Sequence, residues 1–293
     1  MSSAVTDKSK WDVLQAKLHE ARVQRAFSVF RDAGIELILI KGWAAARNYP
    51  QEQIRHFGDV DLAVAPEDFD RALRLVRSTE NAWLFIDLHE GLRDLDSVDW
   101  SNLFENSHLA DLNGISVRIL RPEDHLRVLC TQWLIDGGRS RDKLWDIYHA
   151  VAYRPPDFDW HECLELVASH RRRWVIYTIG LAHKYLDLEI DDLPFESEAK
   201  KIPGWILRCV EKEWRQPDNF EGIINSSRNA RHFLRQVSRR LPPNPLRATI
   251  EENGDLDSRM RWWYQIKVVA KHVGPFAKDV IVYTLNAVKG RPD

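Results

Sequence analysis

The sequence predicts an α+β fold, with an α/β segment over residues 1–120 followed by an all-helical region over 121–293. Three observations carry that expectation. Short apolar runs broken by polar turns fill the first 120 residues, the pattern of strands alternating with helices. After Arg121-Pro122-Glu123-Asp124 the apolar spacing becomes helical and stays so. Prolines at Pro155-Pro156, Pro194, Pro203 and Pro242-Pro243-Asn244-Pro245 then cut the second half into helix-length pieces.

Residues 11–33 place Leu14, Leu18, Val23 and Phe27 at helical spacing, which predicts an opening helix with these side chains buried. Strands are expected near 36–41, 59–64, 83–90 and 108–120, the last a hairpin turning at Asn113-Gly114. Pro66-Glu67-Asp68 are favourable first-turn residues for a helix over 66–78. In the second half, Pro122 opens a helix carrying Leu126, Leu129, Cys130, Trp133 and Leu134, and Gly137-Gly138 ends it. Further helices are expected at about 141–153, 159–170, 172–186, 203–215, 228–240, 256–273 and 275–288. Arg171-Arg172-Arg173 falls at one helix boundary and reads as solvated, while Trp262-Trp263-Tyr264 reads as core.

Composition narrows the function classes. A chain of 293 residues with 44% hydrophobic and 29% charged residues is globular and large enough for two cores. Its net charge of −2 gives no general attraction to nucleic acid or to an anionic membrane, so neither partner is expected. Cys130, Cys163 and Cys209 are far apart, which argues for reduced, buried thiols rather than a zinc site or disulfide framework. Met1 to Lys10 is polar and no run is long enough to span a bilayer, so a cytoplasmic location is the default expectation.

Gly58-Asp59-Val60-Asp61-Leu62-Ala63-Val64 carries the chemistry. Alternation along a strand points Asp59 and Asp61 the same way while Val60, Leu62 and Val64 face a core. Two carboxylates on one face repel and lose hydration unless a cation joins them. Hard oxygen donors suit Mg²⁺, which takes its remaining ligands from water and from a substrate's phosphates. Phosphoryl or nucleotidyl transfer is the chemistry this expects.

Around that pair stand the strand Leu37 to Ile40 running into Lys41-Gly42, the helix-like Trp43 to Tyr49, Arg55, and Ile86-Asp87-Leu88-His89 a helix's length downstream. This ordered set resembles the uncharacterised nucleotidyltransferase family within the polymerase-beta-like nucleotidyltransferase superfamily. The resemblance implies an N-terminal α/β domain with a mixed sheet, two metal ions held by Asp59, Asp61 and Asp87, and a triphosphate held at the Gly42 turn. Lys41-Gly42-Trp43 stands where many superfamily members have Gly-Ser, so Lys41 is expected to take over part of the phosphate contact. Arg55 would add positive charge for the triphosphate, and His89, on the same strand face as Asp87, would bind substrate or orient a carboxylate. Asp146 looks like the family's helical acid. Its functional reading is a general base for an acceptor hydroxyl, with Lys143 one turn before it as a phosphate contact. The residues alone favour an intrahelical ion pair on a solvated face for these two, since such pairs are common on helices.

The expected activity is transfer of a nucleoside monophosphate from an NTP, ATP in the first place, to a hydroxyl or phosphate group of a small molecule or peptide. Mg²⁺ is the expected cofactor, with Mn²⁺ as a substitute. The competing expectation is a catalytically inactive binding or regulatory module that keeps the fold.

Overall fold

The computed structural model describes residues 2–50, 53, 55, 57–215 and 242–271. A long opening helix, α1 (Ser2–Asp32), leads into strand β1 (Leu37–Leu39) and the one-turn helix α2 (Trp43–Ala46). Then come β2 (Val60–Val64), α3 (Phe69–Val76), β3 (Ile86–Glu90), α4 (Trp100–Glu105), β4 (His108–Leu112) and β5 (Ile115–Ile119). Everything after β5 is helical among the described residues: α5 (Pro122–Ile135), α6 (Arg141–Ala152), α7 (Trp160–Leu164), α8 (Ser169–Leu186), α9 (Glu196–Ala199), α10 (Gly204–Trp214), α11 (Pro245–Glu251) and a helix, α12, at 261–271.

The five strands form one mixed sheet in the order β3-β2-β1-β5-β4. β2 runs antiparallel to β1 and parallel to β3, while β5 runs parallel to β1 and antiparallel to β4. Asn113 and Gly114 both adopt positive φ, 52° and 86°, which is the type I′ hairpin geometry their dipeptide favours. Leu37, Leu39, Val60, Leu62, Val64, Val117 and Ile119 meet Val23, Phe27 and Phe30 of α1 in a single apolar core. Ile38 and Ala63, on the opposite side of the pleat, are buried as well. β2 therefore carries Asp61 within a strand buried along its whole length.

By its internal contacts the chain divides into two compact units, Met1–Gln132 with Asp142–Lys201, and Trp133–Arg141 with Ile202–Asp293. The first unit contains the sheet. Within it a buried ion network joins Arg127 to Asp96 at 2.8 Å and to Asp124, and Asp124 to Arg121 at 2.7 Å. In the second unit Asn244 caps α11 by accepting from the Leu246 and Arg247 amides, and it donates to the Gly137 carbonyl at 3.1 Å. Trp214 donates to the Gly138 carbonyl at 2.9 Å. Cys130, Cys163 and Cys209 are free and buried, as the sequence predicts.

Several expectations need correction. Val23 and Phe27 are core, but Leu14 and Leu18 lie at the exposed end of a helix longer than its apolar stripe. The third strand begins at Ile86 rather than 83, because Ala82–Leu84 forms a 3-10 turn and Phe85 takes a left-handed conformation (φ 50°). Arg171 to Arg173 sit inside α8, where Arg172 pairs with Glu165 and Glu198 at 2.9 and 2.6 Å. Trp262 and Trp263 are exposed. α4, α9 and α11 were not expected from the sequence, and the helices expected at 228–240 and 275–288 lie outside the described residues.

Candidate active site

Parallel pairing of β2 and β3 sets Asp61 opposite Asp87 and Ala63 opposite His89. Alternation along β3 puts Asp87 and His89 on one face, so three donors converge from two adjacent strands. One ligand atom from each of Asp61, Asp87 and His89 lies within 4.8 Å of the other two. His89 Nε2 is 3.6 Å from Asp87 Oδ2 and 3.9 Å from Asp61 Oδ1, ionic contacts longer than hydrogen bonds. The Lys41 ammonium, one residue before Gly42, rests against Asp61 Oδ1.

The electrostatics follow from this crowding. Burial alone would lower the His89 pKa, but the two carboxylates outweigh it and raise it to about 9. Burial would likewise raise Asp61, and His89 and Lys41 reverse that and hold the carboxyl below its ordinary range. Asp87 is lowered, first by His89.

Two observations test whether this set fits a divalent metal. His89 Nε2 is buried without a hydrogen bond, and Asp61 Oδ1 is buried with the Lys41 ammonium as its close cation. Two carboxylate oxygens with one imidazole nitrogen also form a donor set that first-row divalent ions accept, with the oxygens favouring Mg²⁺ or Mn²⁺. The residues fit.

The other expected site residues fall as follows. Asp59 is exposed at the bend that leads into β2 and lies outside the group of Asp61, Asp87 and His89. Gly42 ends the strand with φ 63°, a conformation that suits glycine. A Cβ there would stand 2.5 Å from His19 Nε2, so the glycine also makes room for a side chain of α1. Arg55 is nearly buried and clamped in two-point fashion by Asp146, with Nε to Oδ1 at 2.7 Å and Nη2 to Oδ2 at 2.8 Å. Tyr49 donates to the same Asp146 Oδ1 at 2.7 Å. Burial first, then the Asp146 charge, pushes the Tyr49 phenol upward, so it stays a neutral donor. The solvated helix face that the sequence favoured for Asp146 is overturned: Asp146 is buried against Arg55, while Lys143 is exposed.

Sequence reasoning missed His19, Arg22, Tyr49 and His125. His125 is buried on α5 with Nε2 3.1 Å from the Ile40 carbonyl, which steadies the end of β1 just before Lys41. His19 and Arg22 had only their three-residue spacing on α1 as a signal, and that spacing occurs on any helix.

A five-stranded mixed sheet with an acidic cluster on adjacent strands and a Lys-Gly turn at the end of its central strand defines a nucleotidyltransferase-like fold. The chain belongs to the uncharacterised nucleotidyltransferase family, which it matches over residues 3–187. Among solved structures it is similar to the crystal structure of an antigenic nucleotidyltransferase-like protein from Paracoccidioides brasiliensis. That similarity has 14% identity and a TM-score of 0.40 over 62% of this chain and 92% of that one. No curated protein matches.

Proposed function

We propose that the protein is a metal-dependent nucleotidyltransferase that moves a nucleoside monophosphate from an NTP, ATP in the first place, to a hydroxyl or phosphate group of a small molecule or peptide. The observation that carries this reading is the convergence of Asp61, Asp87 and His89 within 4.8 Å on paired strands. Asp61 and Asp87 would hold Mg²⁺ or Mn²⁺, with His89 becoming a third donor on release of the proton that the two carboxylates keep on it, and Asp59 reaching in from the bend before β2. When bound, such an ion supplies Lewis-acid charge to the phosphate under attack.

The chain's own residues then have definable tasks. Lys41 carries a positive charge against Asp61 that can turn to a phosphate oxygen once the carboxylate has another partner. Gly42 keeps the turn clear of a side chain where phosphates approach. Arg55 presents a guanidinium fixed by Asp146, and Tyr49 secures that carboxylate in turn. Both Asp146 oxygens are engaged in this way, which supports a positioning role in place of the general base expected from sequence. Lys143, exposed on the same helix, would serve the acceptor side.

A second reading, a binding module that keeps the fold without turnover, draws support from Lys41 itself, because its ammonium already offsets the Asp61 charge. One experiment separates the two. The full chain is incubated with each labelled NTP, Mg²⁺ and a cell extract, and labelled products are sought alongside calorimetric nucleotide binding. The proposal expects a labelled product that disappears in Asp59→Asn, Asp61→Asn and Asp87→Asn. Nucleotide binding without product supports the module. Unchanged NTP-dependent metal binding in an Asp61→Asn, Asp87→Asn double variant removes the metal assignment.

A further inference from the structure

Three buried polar nitrogens on α1 have no hydrogen-bond partner among the described residues: both ring nitrogens of His19 and Nε of Arg22. The two residues are three apart, so they share one face of the helix. His19 is 1% exposed. Its ring stacks on Phe57, with centroids 4.4 Å apart and planes at 20°, and its Nε2 lies 2.5 Å from where a Cβ on Gly42 would stand. The Arg22 guanidinium lies over the Phe85 ring at 4.7 Å.

Leaving a histidine in this state costs stability, since each unpaired nitrogen has lost its water. A core histidine ordinarily finds a carbonyl, as His125 does at Ile40. Burial first, then the charges of Arg55 and Arg22, lower the His19 pKa to about 4, so the ring is neutral with one donor and one acceptor nitrogen. Arg55 is already paired with Asp146, and Asp61 acts on the ring in the opposite sense. The attraction for an anion therefore comes from Arg22, whose planar guanidinium fork matches the oxygens of a phosphate.

We propose that His19 and Arg22 form a phosphate-binding subsite on α1 beside the Gly42 turn, which takes an oxyanion from the nucleotide's polyphosphate or from a phosphorylated acceptor. The identity of that ligand rests on the nucleotidyltransferase reading, whereas the subsite is testable with inorganic probes. Stacking on Phe57 fixes the imidazole plane, and the missing Cβ at Gly42 leaves its Nε2 edge against the turn. Arg22 is held by Phe85 while its Nε lacks a partner.

Calorimetry on the full chain tests this with tripolyphosphate, and with inorganic phosphate added after saturation by a non-hydrolysable NTP analogue. His19→Phe keeps an aromatic ring on Phe57 and removes both nitrogens, while Arg22→Gln keeps much of the stem and removes the charge. Each variant is expected to lose about 10-fold in affinity, the scale of one charge-assisted hydrogen bond. Loss toward tripolyphosphate assigns the subsite to the nucleotide's tail, and loss confined to phosphate added over the analogue assigns it to the acceptor. Wild-type affinity for both probes in both variants, or no binding of either probe to the wild type, overturns the proposal. If His19→Phe does not fold, Arg22→Gln decides alone. Phosphate binding that depends on His19 and Arg22, in a protein that forms no labelled product, keeps the subsite and removes the enzyme reading.

Discussion

At the scale of single residues, two histidines make folding sensitive to acid. His125 is buried, and burial lowers its pKa from the ordinary 6.5 to about 4; His19 is lowered to a similar value. A folded-state pKa below the unfolded one gives stability that is whole above pH 6.5 and is lost as the pH falls through 4. Each drop corresponds to about 3 kcal/mol on an order-of-magnitude scale. Urea denaturation at a series of pH values should therefore show stability falling between pH 6.5 and 4. In His125→Gln, which can still donate to the Ile40 carbonyl, the slope over that window should be visibly shallower. An unchanged slope would mean the acid sensitivity resides elsewhere.

At the scale of elements, α6 is tied to the chain between β1 and β2 by Asp146, which grips Arg55 and accepts from Tyr49. Removing one partner of a buried ion pair leaves the other charge uncompensated, at a cost of about 3–5 kcal/mol. Asp146→Asn should lower the melting temperature and weaken NTP binding by loosening Arg55, so that KM rises. A general base would instead show its loss in kcat with KM unchanged, so steady-state kinetics distinguishes the two roles. This tie also marks where the sequence ceased to be legible. The shared face of Asp87 and His89 could be read because strand alternation is a local rule, and the Asn113-Gly114 turn because its dipeptide fixes its own geometry, whereas Asp61 opposite Asp87 depends on the pairing of β2 with β3 and was implied only by the family resemblance. The Asp146 to Arg55 clamp spans 91 positions, and within its own helix Asp146 had only Lys143 to suggest a partner. Tertiary contact decided the pairing. The same limit hid His19, whose importance lies in what it touches at Gly42 rather than in its neighbours along α1.

At the scale of the whole molecule, the family match over residues 3–187 extends well past the last strand, and the compact unit that holds the sheet takes in α6 to α9 as well. A change from strands to helices at residue 120 was plain from apolar spacing, but apolar spacing does not say which helices share a core with which strands. No described helix is long and apolar enough to cross a membrane. The chain also leaves the first unit at Trp133 and returns to it at Asp142. That excursion has a consequence for the order in which the protein is completed on the ribosome. The first unit has all its residues once Lys201 has emerged, yet Gly137 and Gly138 must still wait for Asn244 and Trp214 to engage their carbonyls. A chain arrested after Lys201 should keep the secondary structure of the sheet-bearing unit while binding an apolar dye through the stranded segment around Trp133, which is 1% exposed in the full chain. Full-length protein should lose that dye signal as α10 and α11 arrive, making the nine residues from Trp133 to Arg141 the last of the first half of the chain to reach their final state.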